Sequence, residues 1–527
     1  MANGCLAPVP APCAPASTDP RVVSTFTRRY NTAKRQTALP AANHTTNGDE
    51  TLPDKVGTYS KAILQDGKGK VNPAAFAGFQ SAIAAGTLAA FEAITPGGSR
   101  TQNGPMGSYA YEFLGADGSQ FGAPVVPVPP KLTSAAYGAE LIELYWCSLL
   151  RDVPFTQFAG NAIAQDAATE LTSLAAYQGP RDGGTVKPSL LFRGTLPGEK
   201  IGPYISQFFL TPTTFGALPF DQKYITYMPD VDYVTDEPTW EDVQNGIPTG
   251  VADHVDPVQR FLHDGRGLAA YTHVDELYQA YFTAYLAMSR LGVPPNPGSP
   301  YANSRKQNAF GTFGGPDIAS VIAQVAKAAL NAVWYQKWVV HLRHRPESGA
   351  GLVHYANQGV PYSAVPHASV FTSQAVARSF SKYGSYFLSQ PFPEGSPAHP
   401  AYPTGHGSVG GACITVLKFF YDGKYTIPNP QMPTADGLNV VPWDYDPATG
   451  DPGVMTVNGE LHKLAHNVTF GHGLHGGIHW RSDSDSSLAL GEAVAISFLE
   501  DLVCTYAEPF TISITKLDGT TQTFINP

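Results

Sequence analysis

The chain has 527 residues, 43 % of them hydrophobic and 11 % aromatic, enough apolar side chain for one large core or two to three domains. Only 14 % are charged, and 52 glycines with 46 prolines imply many long, ordered loops. A net charge of −10 argues against a nucleic-acid surface and against anionic lipid, so an anion site has to be a local basic pocket working against the global field. The five cysteines (Cys5, Cys13, Cys147, Cys413, Cys504) lack CxxC or CxH spacing, which indicates neither zinc nor haem attachment. Cys5 and Cys13 are the one candidate pair. No apolar run reaches the roughly 18 residues that span a bilayer. The N-terminal MANGCLAPVPAPCAPAS has no charged n-region and no h-region, so the expectation is a soluble chain without a visible signal peptide.

In chain order, residues 1–20 read as a flexible arm and 21–130 as short helical pieces among Pro/Gly loops. The first strong helix is predicted over 135–153, with Leu141, Leu144, Tyr145, Leu149 and Leu150 at helical spacing. A second follows over about 158–177, then a loop-rich stretch over 180–257. Long helices are predicted near 267–291 and 317–343, the latter ended by Pro346. Further helices are expected at about 368–384, from Gly405 to about Tyr421, near 459–468 and over 485–506. The tail FTISITKLDGTTQTF alternates around Asp518–Gly519 and predicts a β-hairpin. The fold class is therefore mainly α, built around helix bundles, with a short C-terminal hairpin. No domain boundary is visible, so residues 21–527 are expected to form one large unit.

Three segments carry chemistry. In QKWVVHLRHRP (336–346), Lys337 and Arg345 are eight apart, roughly 12 Å along a helix axis, close enough for two long cations to converge on one anion. Trp334 and His341 fall one turn either side of Lys337. The bland reading is a basic helix end complementing its own dipole. In HPAYPTGHGSVGGA (399–412), Pro403 and Gly405 precede an apolar helical run, with Thr404 near the N-cap. Exposed N–H groups there form an anion cradle, and His406 in the first turn can act as acid or base. The alternative is a glycine-rich helix start with a surface His. In FGHGLHGGIHWRSD (470–483), Asp483 lies four residues after His479 and can orient its imidazole. The competing readings there are a His-rich loop holding adventitious metal, or zinc on His472, His475 and His479; zinc would need a coherent helix through four glycines.

The order Lys-x7-Arg-Pro, Pro-Thr-Gly-His and Gly-Ile-His-x3-Asp resembles the superfamily of vanadium-dependent haloperoxidases and type 2 phosphatidic-acid phosphatases. The Lys–Arg spacing is similar to that of the algal vanadium bromoperoxidases. Further similarity lies in ANHTTNGDE (42–50), YWCSLLRDVPF (145–155), FRGTLPG (192–198), GPYISQFFL (202–210) and QKWVVHLRHRPE (336–347), so the resemblance runs from about residue 20 to 505. It implies a site within 330–483 that binds vanadate. Lys337 and Arg345 would neutralise its oxygens, Gly405 N–H and the Thr404 hydroxyl would hydrogen-bond them, His406 would be the acid–base group, and His479 would bond vanadium. His399 and Trp334 match active-site positions of the bromoperoxidases. The implied reaction is oxidation of bromide or iodide, ahead of chloride, by hydrogen peroxide to hypohalous species that halogenate small organic acceptors. A homo-oligomer, dimer or larger, is implied as well.

Two positions depart from the family pattern. Thr404 replaces a Ser and keeps the hydroxyl. An Arg expected six residues before His479 falls on Gly473, leaving His472, His475 and Arg481 as candidates to supply the charge, His472 and Arg481 foremost. The rival function is a phosphatase, with His479 attacking phosphorus and His406 protonating the leaving alcohol; another is a non-catalytic oxyanion-binding protein. The acidic stretch DVDYVTDEPTWED (230–242) is a candidate for structural calcium, against the reading of a solvated acidic loop.

Overall fold

The computed structural model describes residues 17–443 and 453–527. Cys5, Cys13 and most of the expected N-terminal arm lie outside the described residues. The core is a helix bundle around Gly405–Phe420, which packs on Gly315–Tyr335, Val457–Phe470 and Arg481–Leu502. Every residue of Gly405–Phe420 is buried, including the polar His406, Ser408, Thr415 and Lys418. Glycines set how close its neighbour comes. A Cβ at Gly411 would collide with the Leu488 carbonyl, and one at Gly491 with the Ser408 carbonyl. This crossing brings the start of Gly405–Phe420 beside the start of Arg481–Leu502, where the second and third chemical segments lie.

The helix predicted over 135–153 spans Ala135–Leu149, and the hairpin forms between Phe510–Thr515 and Thr521–Asn526. Its residues Phe510, Ile512, Ile514 and Phe524 are buried, and its first strand packs on Gly405–Phe420. Two predicted elements differ. The long helix over 267–291 is two helices, Gly265–Val274 and Gln279–Leu291, parted at Asp275 in extended backbone. Asp275 is held there by His406 from a distant helix, an interaction invisible to local periodicity. Pro346 does not end the preceding helix. Gly315–Tyr335 passes into a π turn, Gln336–His341, and stops at Leu342, whose φ of 46° is left-handed. Pro346 instead opens a further helix, Pro346–Asn357, at the first helical position, where its fixed φ is favourable.

Among the described residues one helix, Gly315–His341, is long and apolar enough to cross a membrane by length and composition. Its buried face packs against Gly405–Phe420 and Arg481–Leu502. The acidic stretch 230–242 is divided among separate partners. Asp232 accepts from Arg151, Arg266, Lys382 and Tyr383, Asp236 caps Glu237–Asn245, and Glu237 meets His354. Among the described residues no group of three or more His, Cys, Asp or Glu side chains is arranged to hold a metal ion.

Candidate active site

The structure brings Lys337, Arg345, His399, Thr404, His406, His472 and His479 together, through a different route than a single helix face. The chain leaves the helix at Leu342, so the axial rise expected between Lys337 and Arg345 does not apply. Arg345 stands instead as the N-cap residue of Pro346–Asn357. Lys337 is fully buried in the π turn and donates from Nζ to the carbonyls of Pro400 and Ala401, both at 2.9 Å. Arg345, also fully buried, donates to the carbonyls of His399 and Ile478 and, at 2.8 Å, to His479 Nε2. Among the described residues neither cation has a carboxylate within ion-pair distance. Burial, and then their mutual repulsion, pushes the Lys337 ammonium well below its ordinary range; burial brings Arg345 down to about 10. Two buried cations with only carbonyl and imidazole partners make a pocket of positive potential that an oxyanion would neutralise.

Two of the imidazoles, His479 and His406, are each oriented by a carboxylate. His479 is fully buried just before Arg481–Leu502, and its Nδ1 lies 3.0 Å from Asp483 Oδ2. Nδ1–H donating to Asp483 leaves the Nε2 lone pair toward Arg345. The His479–Asp483 contact is therefore across a helix start, not along one helical turn. Asp483 is itself fixed by Trp480 N–H and by Arg343, which also pairs with Glu140. His406 Nε2 lies 2.8 Å from Asp275 Oδ1, so the other ring nitrogen is the one available for proton transfer. Thr404 is the N-cap of Gly405–Phe420, and its hydroxyl makes no capping bond; among the described residues its hydrogen-bond partner is Ser484 Oγ at 3.5 Å. The first-turn N–H groups after it have no intrahelical acceptor.

His399 accepts from Arg345 Nη2 at 3.0 Å and faces the Trp334 ring at 4.8 Å, while Trp334 lies 5.8 Å from Lys337 Nζ. His341 packs on Tyr402 and is drawn away from this group; burial lowers its pKa to about 3. Burial, reinforced by the nearby cations, also holds His399 and His479 well below the ordinary imidazole range.

Of the candidates for the missing Arg, two are engaged elsewhere. Arg481 is clamped by the Glu143 carboxylate and the Arg193 carbonyl and lies over Tyr177 and Phe470. His475 sits in the core between Cys147 Sγ at 3.1 Å and Tyr204 Oη at 3.0 Å. His472 alone of the three reaches the cluster, 3.9 Å from the His406 ring and 5.5 Å from that of His479, centre to centre. His406 and His472 line a cavity of about 210 Å³ together with Arg100, His273, Asp275, Phe392 and Ile478. Sequence reasoning missed Asp275, Arg343 and the cavity walls. Asp275 was hidden inside an apparently continuous helix; Arg343 sits between two better-marked cations and gave no signal of its own.

A mainly helical protein whose bundle gathers two unpaired buried cations, a helix N-terminus and carboxylate-oriented imidazoles defines a class of oxyanion-binding proteins. Residues 318–504 match the family model described as the VCPO second helical-bundle domain. Over 521 residues the chain is 32 % identical to a vanadium-dependent bromoperoxidase of Ascophyllum nodosum, covering 94 % of this chain and 90 % of that protein. It is 30 % identical to a vanadium-dependent bromoperoxidase of Corallina pilulifera, at 90 % and 92 % coverage. The homohexameric structure of the second vanadate-dependent bromoperoxidase from Ascophyllum nodosum superposes with a TM-score of 0.89 at 29 % identity, over 98 % of this chain and 94 % of that one. The chain belongs to the family of vanadium-dependent bromoperoxidases.

Proposed function

We propose that this protein oxidises halide with hydrogen peroxide, using vanadate held in the pocket of Lys337, Arg345, Thr404, Gly405 and His479. The observation that carries the reading is the pair of buried cations, Lys337 and Arg345, with no carboxylate partner among the described residues. A tetrahedral oxyanion fits this donor set. Both cations and the free N–H groups of a helix start would surround it, and the Nε2 lone pair of His479, which Asp483 orients and Arg345 meets in this structure, would turn to vanadium. Bound there, vanadate supplies a Lewis-acidic centre that activates peroxide toward attack by halide.

The chain's own groups do the rest. Asp275 holds His406 so that its free nitrogen can take a proton from peroxide and return one to the leaving oxygen. Lys337 and Arg345 stabilise negative charge on oxygen without having to reorganise, because carbonyls already fix them. Trp334 and His399 form an apolar-edged wall against which bromide or iodide is expected to be accepted ahead of chloride. The hypohalous product then halogenates small organic acceptors. In the same reading residues 21–527 act as one domain, and the chain assembles as a homo-oligomer, which sedimentation equilibrium would register as a mass of two or more chains.

The deciding experiment is bromination of a phenolic dye by peroxide, with the protein stripped of and then given vanadate, run beside hydrolysis of a phosphate ester. Bromination that appears only with vanadate and exceeds chlorination supports the reading. Ester hydrolysis without bromination would assign the pocket to phosphoryl transfer instead.

A further inference from the structure

Two buried histidines of the core have partners on both ring nitrogens. His475 lies between Cys147 and Tyr204, and His344 between Tyr137 Oη and the Val56 carbonyl. His472 differs. Its Nδ1 is buried and has no hydrogen-bond partner, although His472 lines the cavity with His406 and its ring lies 5.5 Å from that of His479. A buried polar atom left unmet costs about 1–3 kcal/mol, a cost that an acceptor entering the pocket would remove if the ring proton sits on Nδ1. The backbone explains why the donor stands at 472. Residues Gly471–His475 form a π turn, closed by Gly476 N–H to the Gly471 carbonyl at 2.9 Å. At Gly473 a Cβ would already lie 3.2 Å from His479 Cβ and from Ser484 Oγ, so a long side chain there would press on the imidazole that the site depends on.

We infer that His472 is an oxyanion-binding residue that donates from Nδ1–H to an oxygen of the bound anion, in place of the Arg that the family pattern puts at position 473. The inference rests on the reading that this pocket holds vanadate. It adds a neutral donor where a charged one was expected, so the site gathers its positive charge from Lys337 and Arg345 alone.

The test is calorimetric titration of the vanadate-free protein with vanadate and, separately, with inorganic phosphate, which needs no turnover. His472→Ala is expected to weaken both anions about 10- to 100-fold. His472→Asn, whose amide N–H falls where Nδ1–H stands, is expected to recover most of the loss. His472→Gln, which carries its amide one bond further out, is expected to stay weak. Thermal melting checks that each variant is folded; if the Ala variant is not, the Asn and Gln pair decides. Ala binding within twofold of the unaltered protein, or Asn binding no tighter than Gln, overturns the assignment of His472 while leaving the proposed function intact. An unaltered protein that takes up neither anion overturns both.

Discussion

His406 has one ring nitrogen on Asp275, so in its proposed role as proton carrier it depends on a residue 131 positions away in the chain. Asp275→Ala should therefore lower kcat for bromination about 10- to 100-fold while leaving vanadate affinity within a few-fold. Steady-state rates beside a vanadate titration check this, and an unchanged kcat would remove Asp275 from the proton path. Arg345 makes a different point. Its guanidinium reaches the His399 carbonyl, the Ile478 carbonyl and His479 Nε2 at once, which a single ammonium cannot do. Arg345→Lys keeps the charge, yet is expected to weaken vanadate at least about tenfold, measured by equilibrium dialysis. Equal affinity would mean that charge alone, not the fork, matters.

The elements that carry these side chains meet through backbone contact. Gly405–Phe420 and Arg481–Leu502 touch where Gly411 faces the Leu488 carbonyl and Gly491 faces the Ser408 carbonyl. The crossing sets the distance between Thr404 and the His479–Asp483 pair, whose neighbourhood shows in the Thr404 N–H bond to the Asp483 carbonyl at 3.1 Å. Gly411→Val should cost about 3 kcal/mol or more and lower the melting temperature, because neither partner is a flexible side chain that can yield. Gly160→Ala, with open space around it, serves as the comparison and is expected to stay within about 0.5 kcal/mol. A Gly411→Val protein as stable as the comparison would show that the helices can part without loss. The π turn at Gln336–His341 works at the same scale: it ends the long helix early enough for Arg345 to swing back toward Lys337.

Over the whole molecule, buried ionic groups outside the site tie stability to pH. His466 is buried beside Glu199 and Asp485. Burial opposes its charged form, but Glu199 above all and Asp485 more than compensate, raising its pKa from 6.5 to about 9. A folded-state value above the unfolded one means that the stabilisation is complete below pH 6.5 and is lost as pH climbs through about 9. The amount is on the order of 3 kcal/mol. Melting temperature should therefore fall between pH 6.5 and 9, and Glu199→Gln should flatten that slope. A slope identical in both proteins would place the pH dependence elsewhere.

Three segments of sequence already marked side chains that the structure gathers into one cluster. Lys337, Arg345, Thr404, His406 and His479 were legible because cations near a proline, a glycine-opened helix and a His four residues before an Asp are local patterns of composition and spacing. The helical class was legible for the same reason, since apolar periodicity records which face of a helix is covered. Tertiary structure alone decided the rest. It placed Asp275 on His406, broke one predicted helix in two to do so, gave Arg481 to Glu143 and left His472 beside the pocket. Asp275 and Glu143 come from more than a hundred residues away from the groups they hold, and a chain's local pattern keeps no record of which distant group will lower the cost of burying a charge.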